Sequence, residues 1–162
     1  QISAFIDAPH RDHGVQLHTG TTLAAIDSVD DAFTGVRLAD GSTLTADLLL
    51  VGIGVQPDMR LAVAAGLVCG DGILVGAEMQ TSHPGIYAIG DVALADETAP
   101  QINATPIRVE SVHNAQDSAA RAAAALTDTA PPARQAPWFW SEQFDARLQS
   151  VGIIPPARNG VQ

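Results

Sequence analysis

Residues 81–91 read TSHPGIYAIGD, and this stretch decides the fold. A His-Pro-Gly turn opens an apolar, β-like run that closes on Gly90-Asp91. A strand that only fills a core has no use for a carboxylate at its last position; a strand that delivers one to a ligand does. In open α/β sheets, ligands bind beyond the carboxyl ends of the strands. A Gly there lets the backbone approach a bulky group, and an Asp accepts strong, charge-assisted hydrogen bonds from ligand hydroxyls. The same dipeptide is also a common turn, so spacing alone leaves Asp91 open to a plain capping role.

Working upstream, residues 34–54, TGVRLADGSTLTADLLLVGIG, predict a hairpin followed by a buried strand. Val36 and Leu38 run into Asp40-Gly41, read as a type I′ turn, with a returning strand at residues 42–45. LLLVGI is apolar at every position, which predicts a strand buried on both faces. Before it, VQLHTGTTLAAID (15–27) alternates as a strand broken at Gly20. The opening QISAFIDAPHRDHG predicts the end of a helix, with Ile2, Phe5 and Ile6 at helical spacing, Pro9 interrupting and Gly14 as the C-terminal cap. Downstream of the hairpin, Asp71-Gly72 predicts a second turn between LVC and ILVGAEM.

Beyond Asp91 lies a linker-like stretch, ADETAPQINATP (95–106), then a helix predicted over 108–126 from apolar residues at three- and four-residue spacing. DTAPPARQAP (128–137) is Pro-rich and precedes WFWSEQFDARLQSVGI, which holds both Trp residues. That shift marks a domain boundary near 128–137. The order of elements predicts an α/β chain in which a β-meander crosses between parallel-sheet segments.

Composition narrows the function. The chain has 162 residues and a formal charge of -10, and all eight of its basic residues are Arg. So acidic a surface repels phosphate backbones, which argues against nucleic acid as a partner. A single Cys69 permits no internal disulfide and suits a reducing cytoplasm. The apolar runs are too short to span a bilayer and the opening residues do not read as a signal peptide. The five His residues, at 10, 13, 18, 83 and 113, form no metal-ligand pattern. We therefore expect no metal.

Three further stretches are candidates for chemistry. Gly52-Ile53-Gly54 ends an apolar run, and its glycines would let backbone pass close under a flat ring, or merely exit a strand before Pro57. The helix start RVESVHNA could place partial positive charge and free N–H groups at a ligand, with Glu110 read as a first-turn carboxylate. The run Trp138-Phe139-Trp140 cannot face one side of a strand; core packing is the default, and covering a flat ligand is the alternative.

In this order, ADLLLVGIGVQPD, DGILV, TSHPGIYAIGD, RVESVHNA and APWFWSEQFD resemble the FAD-dependent ferredoxin reductases of P450 and Rieske-type oxygenase systems, within the pyridine nucleotide-disulfide oxidoreductase superfamily. The likeness runs from about residue 3 to about residue 153, and Asp58 stands where those proteins often have Asn. It implies part of an α/β flavoprotein with two Rossmann-like dinucleotide-binding domains. Residues 1–78 would be the later part of an NAD(P)H domain and 79–127 the C-terminal part of an FAD domain. Residues 128–136 would be a linker, and 137–162 the start of a truncated α+β C-terminal domain. It further implies that Gly90 and Asp91 contact the ribityl–pyrophosphate region of FAD. Glu110, Ser111 and Val112 would lie against the isoalloxazine, Trp138 and Trp140 near the edge facing the electron acceptor, and Gly52, Ile53 and Gly54 along the NAD(P)H site.

The activity so implied is transfer of electrons from NAD(P)H through FAD to a ferredoxin-type iron–sulfur protein, with no protein nucleophile required. No Gly-x-Gly-x-x-Gly loop occurs in the sequence, so the expectation is a fragment, inactive alone, that binds FAD weakly or not at all. Its exposed sheet edges would favour self-association. Docking to an acidic ferredoxin would need a basic patch, for which Arg108, Arg134 and Arg147 are the candidates. Two alternatives stand beside this: a non-catalytic remnant serving as an interaction module, and a piece of a disulfide reductase. The second would need a redox Cys pair, and WFWSEQFD speaks against it.

Overall fold

The computed structural model describes residues 2–95, 106–133 and 135–153. Most of the expected linker, Arg134 and the tail PPARNGVQ lie outside the described residues. By internal contacts the chain divides into two units, Gln1–Gly54 with Gln143–Ala146, and Val55–Glu142 with Arg147–Gln162.

In the first unit, helix α1 spans Ile2–Asp12. It continues through Pro9 rather than stopping there, at the cost of the one bond Pro9 has no N–H to make. Gly14, at φ 80°, ends it, and Val15 N–H donates to His10 O at 2.9 Å. His10 and His13 each turn a ring nitrogen back to the carbonyl four residues earlier, at 2.9 and 2.8 Å. Phe144 stacks on the His13 ring with centroids 3.8 Å apart.

Strands β1 (Leu23–Val29), β2 (Ala32–Leu38) and β3 (Thr43–Thr45) form an antiparallel meander. The expected strand at 15–27 thus begins only beyond Gly20. The type I′ geometry is found at Asp30-Asp31, where both residues have positive φ (51° and 63°) and Val29 faces Ala32. At Asp40-Gly41 only Gly41 is left-handed. Gly41 N–H donates to Leu38 O and Leu38 N–H to Ser42 O, so this is a three-residue loop ending on a left-handed glycine rather than a type I′ turn. Gly35 lets β3 approach closely: a Cβ there would meet Leu44 O at 2.3 Å.

The apolar run after β3 is not a buried strand. It joins no sheet among the described residues, and Leu48, Leu50 and Ile53 are 81%, 90% and 92% exposed. A both-face apolar pattern records coverage by neighbouring strands and helices, and among the described residues none supplies it.

In the second unit, helix α2 (Arg60–Ala64) follows Asp58, whose carboxylate binds the Arg60 backbone and guanidinium. The Asp71-Gly72 turn forms as expected, with Cys69 bridging Ile73. Strand β4 (Ile73–Val75) lies parallel to β5 (Ala93–Ala95), which lies antiparallel to β6 (Ile107–Arg108). Helix α3 covers Val112–Leu126. Its Ala122 packs with Val75, Met79, Ala88 and Ala93 into the core, where Val75 is 1% exposed. The unit closes with a hairpin of β7 (Trp138–Gln143) and β8 (Ala146–Val151), its tip residues 143–146 counted with the first unit.

Two expectations change here. GIYAIGD is not a strand ending at Asp91: Tyr87 makes an isolated bridge to Gln80, Ile86 and Ile89 are exposed, and Gly90–Val92 form a short 3₁₀ turn. Hydrogen-bonded sheet begins only after Asp91, because β4 pairs with Ala93–Ala95. Helix α3 starts at Val112, not 108, because Ser111 caps it and Arg108 is held on β6.

Candidate functional site

Gly90 takes φ 70°, a left-handed conformation that favours glycine. Its N–H donates to the buried hydroxyl of Ser118 at 2.9 Å, and that hydroxyl donates to Ala115 O at 3.1 Å. The helix therefore anchors the turn, and Asp91 is exposed at its outer corner.

The start of α3 is built with equal care. Ser111 is extended and its hydroxyl accepts the Asn114 N–H at 3.1 Å, satisfying one of the free donors of the first turn. Asn114 Nδ2 donates to Val109 O at 2.8 Å, which fixes the loop before the cap. Glu110 stands ahead of the cap rather than in the first turn, and pairs with Arg108.

These residues meet the β7 strand at a cavity of about 290 Å³, lined by Arg108, Glu110, Ser111, Pro137 and Trp138 among others. Gly152 N–H donates to Pro137 O at 2.7 Å and closes the hairpin base beside it. Trp138 and Trp140 lie two apart on one face of β7, ring centroids 5.2 Å from each other, and Trp138 is 5.9 Å from the His113 ring. The aromatic run does not pack into a core: Phe139 and Trp140 are exposed and Trp138 half-buried. His113 Nδ1 is buried with no partner.

Of the residues singled out from sequence, the structure gathers Glu110, Ser111 and Trp138 at one cavity, with the Trp140 ring tilted against that of Trp138. Gly90 and Asp91 connect to it through Arg108, whose Nη1 donates to Asp91 O at 3.3 Å. Val112 begins α3 with its side chain exposed. Gly52, Ile53 and Gly54 belong to the first unit and are exposed.

Sequence reasoning missed Arg108 and Ser118 as site residues. Arg108 was expected in a docking patch, but its side chain is 11% exposed and engaged by Glu110 and Asp71. Arg147 is paired with Glu142 at 3.3 Å, so neither offers an unpaired charge. A Ser inside an Ala-rich helix, three residues after another small residue, was the available signal for Ser118.

Residues 1–119 match the model of a family described as pyridine nucleotide-disulphide oxidoreductase. The chain is 41% identical over 154 residues to the 5,5'-dehydrodivanillate O-demethylase ferredoxin reductase subunit of Sphingobium sp., covering 94% of this chain and 37% of the relative. It is 41% identical over 154 residues to putidaredoxin reductase of Pseudomonas putida, covering 94% and 36%. A crystal structure of the covalent putidaredoxin reductase–putidaredoxin complex superimposes with a TM-score of 0.85 at 41% identity, again over 94% of this chain and 36% of that one. The chain thus spans a little over a third of the length of the relatives it matches. With most of its residues inside the matched region, the chain belongs to the pyridine nucleotide-disulphide oxidoreductase family.

Proposed function

We propose that this chain supplies part of the flavin site of an NAD(P)H-dependent reductase that passes electrons to a ferredoxin-type iron–sulfur protein. One observation carries the reading: Glu110, Ser111 and Trp138 line one cavity at the start of α3. FAD, when bound, accepts a hydride from a nicotinamide and releases its electrons singly. The residues fit such a group. The cavity has an aromatic wall of Trp138 and Phe139 and lies at the N-terminus of α3; a flat heteroaromatic ring needs apolar faces and polar edges.

Ser111 caps α3 at the cavity wall, so the positive end of the helix dipole favours negative charge there. Trp138 excludes water from that wall. Pairing with Arg108 keeps the Glu110 charge compensated. Asp91, exposed at its turn, is an acceptor for ligand hydroxyls. By resemblance, Gly52, Ile53 and Gly54 would line the NAD(P)H site, and Trp138 with Trp140 would sit near the flavin edge facing the acceptor protein. The similarity to putidaredoxin reductase supports that class of partner. A cytoplasmic setting fits the free Cys69, and among the described residues no helix is long and apolar enough to cross a membrane.

The sequence holds no Gly-x-Gly-x-x-Gly loop to grip a pyrophosphate, so this chain alone is expected to hold FAD weakly. Purified, it is expected to be colourless after gel filtration and to lack NADH-driven diaphorase activity. A yellow preparation that keeps its flavin through the column would overturn that. A second reading, an interaction module, draws on the exposed apolar run Leu48–Val55. Concentration-dependent association without any flavin effect would favour it.

A further inference from the structure

Arg108 lines the cavity and reaches three segments far apart in sequence. Its Nε donates to Asp71 Oδ2 at 3.4 Å, its Nη1 donates to Asp91 O at 3.3 Å, and the same Nη1 pairs with Glu110 Oε1. The stem passes so close to Gly72 that a Cβ there would lie 3.1 Å from Arg108 Cδ. A guanidinium is a rigid planar fork that holds several acceptors in fixed relation, which the single ammonium point of a Lys cannot do.

We propose that Arg108 is the positioning residue of this site. Its guanidinium sets the distance between the turn that carries Asp91 and the loop that carries Glu110. It also compensates the Glu110 carboxylate at the cavity wall, which would otherwise face a bound ligand as an uncompensated charge. The purpose of this frame rests on the reading of the cavity as the seat of the flavin ring, whereas the tie between the segments stands on the three contacts of the guanidinium. Position in sequence conceals the role, because Arg108 is 37 residues from Asp71 and 17 from Asp91.

The test uses the full chain and needs no flavin. Four amides report on the two segments. Gly90 N–H is bonded to Ser118 Oγ and Ala93 N–H to Gly90 O; Asn114 N–H is bonded to Ser111 Oγ and Ala115 N–H to Ser111 O. In Arg108→Ala, hydrogen exchange at both pairs is expected to quicken about tenfold or more, the scale of losing charge-assisted bonds, while β1–β3 are unaffected. Millimolar guanidinium chloride, far below denaturing concentrations, should restore protection at both pairs, and sodium chloride at equal ionic strength should not. Loss of packing alone would not respond to the free ion.

Exchange that stays within about twofold of the parent at either pair, or protection that guanidinium fails to restore, overturns the proposal. Should Arg108→Ala not fold, Arg108→Lys carries the measurement: it keeps stem and charge, and is expected to lose protection at both pairs, though by less. Unchanged exchange in that variant overturns the proposal too. Flavin titration read by tryptophan emission decides the ligand of the cavity separately, so a chain that binds no flavin and still shows guanidinium rescue would refute the flavin reading and keep the role of Arg108.

Discussion

The backbone N–H of Gly90 and the hydroxyl of Ser118 are bonded at 2.9 Å across 28 residues. Ser118 is 2% exposed, so this bond ties the Gly90–Val92 turn to the middle of α3 inside the unit. Ser118→Ala leaves the glycine amide without that acceptor. Urea denaturation should show a loss of about 1–2 kcal/mol, the cost of an unsatisfied half-buried donor, and the Gly90 amide should exchange faster than its neighbours in α3.

Ser111 is the cap of α3. Replacing it by Ala should cost about 1 kcal/mol in the same measurement, whereas Ser111→Thr or Ser111→Asp should recover most of it. Equal stability in Ser111→Ala would mean the helix does not depend on its cap.

Gly72 sits under β5: a Cβ would come within 2.7 Å of Val92 O and 3.1 Å of Leu94 Cβ. Backbone cannot yield as a flexible side chain can. Gly72→Ala should therefore destabilise by about 1–3 kcal/mol, with the β4–β5 pairing and the Asp71–Arg108 contact disturbed together.

Two exposed carboxyls carry the acid response that can be named. Hydrogen bonds from the Ser42 side chain, then its backbone, hold Asp40 below its ordinary value of 3.8. The Arg60 side chain, then its backbone, does the same for Asp58. A carboxyl with a depressed folded-state value binds its proton less readily folded than unfolded. Its contribution is thus present above 3.8 and is lost as the pH falls through the folded-state value. Melting temperature against pH should fall less steeply on the acid side in Asp40→Asn and Asp58→Asn than in the parent. Both sites face solvent, so the change is small and shrinks with salt.

Leu50 and Ile53 are 90% and 92% exposed. Paired replacement, Leu50→Lys with Ile53→Lys, should reduce concentration-dependent association in sedimentation, since charge on an unpaired extended run opposes strand addition. An unchanged association profile would place the contact elsewhere.

Local signals were legible where they were self-sufficient. Gly14 ends α1, Asp71-Gly72 turns, and the Ala-rich periodicity of α3 all read correctly because each depends on residues near in sequence. LLLVGI and GIYAIGD misled for one reason: their apolar patterns describe surroundings that the described residues do not provide. The Asp30-Asp31 turn was missed because Asp at two successive left-handed positions is a rarer choice than Asp-Gly. Of the site, Glu110, Ser111 and Trp138 were named from sequence by resemblance. Arg108 and Ser118 were not, because their roles depend on partners 17 to 37 residues away, which no local pattern encodes.

Emission from Trp138 and Trp140, the two tryptophans of the chain, gives the most direct test of the flavin reading. The chain is titrated in parallel with FAD, with riboflavin, which carries the ring alone, and with ADP, which carries the other half. Weak but saturable quenching by FAD and by riboflavin, with none by ADP, is the predicted result. No saturable quenching by either flavin, or quenching by ADP as strong as by FAD, would contradict the account.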